Sequence, residues 1–166
     1  FATLTESSAQ TIDAAKPTLS AVSIAKDGDG NANNGDDITL SFTSSEGIQT
    51  PTCTFTSGSA AMADNTITVA EGSGNAWTCV LDVADADTGG TVAFSIAFTD
   101  DAGNAGTAVS TVTDGSAVTV DNTHPTMTIT STTVSSGATS NDATIALVFT
   151  SSESTANLVS GEVTLS

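Results

Sequence analysis

Arginine and tyrosine are absent from this 166-residue chain, lysine occurs twice, and histidine and tryptophan occur once each. Each scarcity removes a class of function. Binding to nucleic acid needs clustered Lys and Arg to neutralise phosphates, and Lys16 and Lys26 form no such cluster. No run of ~18 apolar residues is present, so no inserted span is expected, and a polybasic membrane-surface helix is equally excluded. The lone histidine, His124, sits in a linker beside Pro125. No Gly-x-Ser-x-Gly elbow, phosphate loop or His-rich metal motif occurs. Acid pairs such as Asp36/Asp37 and Asp100/Asp101 are sequence neighbours on turns, without the buried setting that catalytic carboxylates need. The chain reads as a non-enzyme.

What is present is acid, hydroxyl and a moderate apolar content. Nineteen acidic side chains give a formal charge of −17, and 31 Thr and 22 Ser make hydroxyl residues about a third of the sequence. Hydrophobic residues reach 38%, too many for a disordered acidic chain. An acidic, Arg-free surface also suits saline surroundings and solubility without any specific site. The chain opens at Phe1, which reads as a processed piece or a fragment whose export signal has gone.

An internal repeat organises the sequence. Thr3-Leu4-Thr5-Glu6-Ser7-Ser8-Ala9-Gln10-Thr11-Ile12-Asp13 recurs as Thr111-Val112-Thr113-Asp114-Gly115-Ser116-Ala117-Val118-Thr119-Val120-Asp121, at an offset of 108. Phe42-Thr43-Ser44-Ser45-Glu46 recurs as Phe149-Thr150-Ser151-Ser152-Glu153, at an offset of 107. A unit of about 107 residues is the size of a small β-sandwich. The frame places the last strand and linker of a preceding repeat in residues 1–16, one complete unit in 17–122, and the first strands of a following unit in 123–166.

Alternation of apolar and polar residues predicts strands. Ile38, Leu40 and Phe42 share a face, as do Trp77, Cys79, Leu81 and Val83, and Val92, Phe94, Ile96 and Phe98. Shorter runs lie at Leu19 to Ile24, Thr52 to Thr56, Thr66 to Val69, Thr107 to Val112 and Ala117 to Val120, with Gly, Asn and Asp clusters between them. Short strands punctuated by turns, rich in Thr and Val, predict an all-β, antiparallel Greek-key sandwich. In the last segment the expected strands are Thr126–Thr130, Thr144–Phe149 and Glu162–Leu165. Cys53 shares a face with Phe55, and Cys79 with Trp77 and Leu81, so both thiols point inward from what read as opposite sheets. That suits a cross-sheet disulfide, worth roughly 3–3.5 kcal/mol in the chain-entropy model. Two buried free thiols are the other reading.

Three motifs carry a resemblance: Phe98-Thr99-Asp100-Asp101-Ala102-Gly103-Asn104, Val120-Asp121-Asn122-Thr123-His124-Pro125-Thr126, and Ile38 to Phe42 running into Ser45-Glu46. In these the chain resembles the bacterial Ig-like tandem repeats of large surface adhesins and secreted filamentous proteins. The resemblance implies an extracellular or cell-surface location, Ig-like topology and calcium near domain joints. The chain departs from it in carrying two cysteines, which many such repeats lack.

Calcium is the chemical expectation. Asp27-Gly28-Asp29-Gly30-Asn31 places oxygen ligands at alternate positions on a loop that glycines let curl, with Asp36 and Asp37 available to close the shell. It is not an EF-hand, because Ala32 stands at the glycine position and Ile38 where the bidentate Glu belongs. The bland reading is a solvated turn. A second cluster is expected across the joint, from Asp100, Asp101 and Asn104 after one long strand, Glu46 or Glu153 after another, and Asp121 and Asn122 in the linker. There too the alternative is an ordinary turn with a strand-ending Asp. Together these readings predict a structural protein of stalk or filament. Copies would meet as identical neighbours, head to tail by strand complementation, because the apolar set Ile145, Leu147, Phe149, Val163 and Leu165 has no second sheet. The rivals are a passive spacer of an adhesin and a calcium-dependent carbohydrate-binding module. Against the module, which would hold a glycan, there is no Tyr and the single Trp reads inward.

Overall fold

The structure is a computed structural model that describes residues 12–62 and 66–155. Ten strands follow in chain order: β1 Leu19–Lys26, β2 Asp37–Ser44, β3 Thr52–Ser57, β4 Ala60–Ala61, β5 Ile67–Glu71, β6 Ala76–Asp82, β7 Gly90–Ala97, β8 Thr119–Val120, β9 Met127–Ser131 and β10 Leu147–Ser151. The described residues contain no helix. The chain divides into two compact units, Phe1–Asn122 and Thr123–Ser166.

The first unit holds two four-stranded antiparallel sheets, ordered β1-β2-β6-β5 and β4-β3-β7-β8. Period-2 alternation sends one side chain in two into a shared interior. From the first sheet come Val22, Ile24, Ile38, Leu40, Phe42, Trp77, Cys79 and Leu81. The second contributes Cys53, Phe55, Val92, Phe94, Ile96 and Val120, and all belong to a single buried cluster. Cys53 on β3 and Cys79 on β6 are joined by a disulfide with a Cα–Cα distance of 6.5 Å, which ties the sheets through that interior. The inward reading of the cysteines and the all-β reading both stand.

Two strand expectations need correction. Thr107 to Val112 forms no strand; Val109 makes a single bridge to Ile96, and the chain then crosses to β1, where the Thr113 amide donates to the Val22 carbonyl at 2.8 Å. The residues have strand propensity, but the segment spans from one sheet to the other and so cannot follow one ladder. The two-residue strand β4 left no periodic signal to find. In β1 the register shifts between Ser20 and Ser23, with Ala21 at φ 50°. That bulge aims both Val22 and Ile24 inward across a break in alternation.

The second unit contains one antiparallel hairpin among its described residues, pairing Met127 with Ser151 through to Ser131 with Leu147. The strand expected over Thr144–Phe149 begins later, at Leu147, and the one expected over Glu162–Leu165 lies outside the described residues.

Candidate metal centre

The chain enters the first unit at the pole where β7 ends. Thr18 fixes the entering segment to the residue after β2: its amide donates to Ser45 Oγ at 3.0 Å, and the Ser45 amide donates back to the Thr18 carbonyl at 2.9 Å. Pro17 beside it is fully buried. Beyond Ser45, Ile48 bridges Asp100 in antiparallel sense and the Gln49 amide donates to the Thr99 carbonyl at 2.9 Å. Asp13, Glu46 and Asp100, from three distant stretches, are thereby drawn together. One carboxylate oxygen of each lies within 4.8 Å of the others. Two oxygens on opposite sides of one calcium, each at about 2.4 Å, would be about that far apart. It is the one such group of three acidic, His or Cys side chains among the described residues.

Asp100 is the buried anchor, 1% exposed. Its oxygens accept from the Asn104 amide at 2.7 Å and from Asn104 Nδ2 at 2.8 Å. Burial pushes its carboxyl up, but the hydrogen bonds from Asn104, Gly103 and Ala102 outweigh that and hold it below the usual carboxylate range. Gly103 at φ 96° closes the turn that aims these amides inward. Asn104 Nδ2 also donates to the Asp13 backbone carbonyl at 3.2 Å, binding the entering segment to the turn. Glu46 shifts the other way: partial burial, then the charges of Asp13 and Asp100, raise its pKa. A cation held by the three carboxylates would reverse that repulsion. An all-oxygen donor set favours hard ions such as calcium or magnesium over zinc.

Of the residues expected at this centre, Glu46, Asp100 and Asn104 converge, and Asp101 lies alongside, with Oδ2 3.3 Å from where a Cβ on Gly47 would stand. Asp121 and Asn122 do not. They lie at the opposite end of β7, where Gly90 pairs with Val120. There Asn122 Nδ2 donates to the Ala84 and Asp87 carbonyls at 2.9 and 3.1 Å, and its Oδ1 accepts from the Asn34 amide at 3.0 Å. Glu153 belongs to the second unit and follows β10 as Glu46 follows β2. The ligand not foreseen is Asp13. Its signal was in the repeat, because the offset of 108 aligns Asp13 with Asp121.

The loop 27–36 is organised differently. Lys26 Nζ donates to the carbonyls of Asp29 and Asn31 at 3.1 and 3.4 Å and to Asp36 Oδ2 at 3.0 Å. A lysine ammonium thus supplies the positive charge inside the oxygen-rich curl. The hydrogen bond from the Asn33 amide, then Lys26, lowers the Asp36 pKa. Asp27 Oδ1 accepts from the Asp37 amide at 2.9 Å, and Asp37 faces Asp82 across the β2–β6 ladder. The hydrogen bond between those two carboxyls is the main reason Asp37 titrates above its usual range.

Trp77 is 6% exposed, which leaves no indole face to stack a sugar. No protein-family model matches the chain, and no curated protein matches it.

Proposed function

We propose that this chain is a non-enzymatic, extracellular structural element, an Ig-like Greek-key β-sandwich repeat of a stalk or filament whose entering linker is stiffened by calcium. The observation that carries the reading is the convergence of Asp13, from the linker, with Glu46 and Asp100 of the sandwich. A cation there would fasten linker to domain and turn a flexible joint into a rigid one.

Three further features support it. Lettered in chain order, β1-β2-β6-β5 reads A-B-E-D and β4-β3-β7-β8 reads C′-C-F-G, the two sheets of a constant-type immunoglobulin sandwich. The disulfide joins C to E rather than B to F, so the kinship implied is one of architecture. The hydrogen bonds at the start of β1 are duplicated at the start of β9: the Thr126 amide donates to Ser152 Oγ, and the Ser152 amide to the Thr126 carbonyl, both at 2.9 Å. That duplication supports the tandem-repeat reading. The disulfide suits an oxidising compartment, and no described helix is long and apolar enough to cross a membrane.

Melting the calcium-stripped protein and then the same sample in millimolar calcium tests the reading. A site with the affinity common in extracellular modules should raise the first unit's Tm by several degrees. The increment should vanish in Asp100→Asn. A melt unmoved by calcium or chelator would leave a passive spacer.

A further inference from the structure

We infer that the open edge and apolar face of the β9–β10 hairpin receive residues 3–12 of a second copy of this chain, added as a strand. This deepens the filament reading above and rests on it.

The hairpin repeats β1–β2. Met127↔Ser151 and Thr128↔Thr150 correspond to Leu19↔Ser44 and Ser20↔Thr43. On one face of the hairpin Ile129 stands opposite Phe149, and Leu147 and Ile145 follow on the same side. The counterparts of Phe149, Leu147 and Ile145 are Phe42, Leu40 and Ile38, at most 2% exposed in the first unit, whereas Ile129 and Ile145 are 60% and 49% exposed. Among the described residues β9 pairs with β10 alone, so its other edge offers unpaired amides and carbonyls.

The first unit shows what closes that edge. Residues 111–121 run past β1: the Thr113 amide donates to the Val22 carbonyl at 2.8 Å, the Ile24 amide donates to Ser116 Oγ at 2.9 Å, and Val112, Val118 and Val120 pack on the core. The offset of 108 reproduces this segment at residues 3–13. Thr5 and Ser8 stand for Thr113 and Ser116, and Leu4 and Ile12 for Val112 and Val120, with Gln10 in place of Val118. Ile12 is 94% exposed, yet its counterpart Val120 is 1% exposed. A strand side chain without a core and a core face without its strand are complementary deficits.

The occupant is a second copy because donor and acceptor leave the first unit at opposite poles. Ile12 adjoins Asp13 at the Asp100 end of β7, and the chain toward β9 departs after Asn122 at the Gly90 end. Eight residues of β7 separate them, about 26 Å. Such a head-to-tail contact is heterologous and propagates.

Sedimentation velocity of the full chain tests it, using a donor variant (Leu4→Asp with Ile12→Asp) and an acceptor variant (Ile129→Asp with Leu147→Asp). Trp77 fluorescence reports that the first unit stays folded. The wild type should form oligomers that lengthen with concentration, each variant alone should be monomeric, and an equimolar mixture of the two should yield heterodimers and nothing longer. Oligomers unchanged in both variants, or a mixture that stays monomeric, would overturn this contact while leaving filament formation standing. A wild type monomeric at every concentration would sink both.

Discussion

Glu46 is the residue whose titration reports the candidate centre. Burial and the neighbouring charges of Asp13 and Asp100 hold its folded pKa above the ordinary value. Stability from such a carboxyl is present below the unfolded pKa and is lost as pH rises through the folded one. Without divalent ions, Glu46→Gln should therefore gain on the wild type as pH climbs from about 4 to about 7. In calcium the order should invert, because the carboxylate is then a ligand. Denaturation midpoints across that range, with chelator and with calcium, decide it; parallel pH profiles would contradict the account. Gly106 offers a steric check on the same pole. A Cβ there would meet Phe98 Cε2 at 2.2 Å, and Phe98 leads into the Asp100 turn. Gly106→Val should destabilise by about 1–3 kcal/mol, read from chemical denaturation. Near-wild-type stability would show that the ring moves freely.

At the scale of elements, the two hairpins are an internal control. Leu40 on β2 is fully buried and Leu147, its counterpart on β10, is 38% exposed. Leu40→Ala should cost about 2–5 kcal/mol in the melt of the first unit. Leu147→Ala should leave that melt within about 0.5 kcal/mol of wild type. Equal losses would mean that the repeat correspondence misassigns the faces. Reducing the disulfide should remove about 3.5 kcal/mol, measured by denaturation with and without reductant; a reduced form of equal stability would leave the covalent tie between sheets without energetic weight. These elements also mark what was legible in the sequence. The strands built on Ile38-Leu40-Phe42, Trp77-Cys79-Leu81 and Val92-Phe94-Ile96 were readable because strict alternation has one geometric meaning, and so was the inward aim of Cys53 and Cys79. The crossing of residues 107–113 was not, since propensity says nothing about which ladder a segment follows. Asp100 and Asn104 could be singled out from their turn chemistry. The meeting of Asp13 with Glu46 could not, because it depends on Thr18 clasping Ser45, and no local pattern encodes that. Nor could the pattern of oxygens at Asp27, Asp29 and Asn31 announce that Lys26 would turn back into the same curl.

For the whole molecule, the balance of −17 with a lysine committed to the loop leaves the Asp13–Glu46–Asp100 pole without a cation of its own chain nearby. The central claim is that a divalent ion binds there and not in the loop. Isothermal titration of calcium into the stripped protein addresses it most directly. The account predicts saturable binding in the wild type, binding retained in Asp36→Asn, and affinity weakened at least about tenfold in Asp100→Asn and in Glu46→Gln. A silent titration of the wild type, or binding lost in Asp36→Asn but kept in Asp100→Asn, would contradict it.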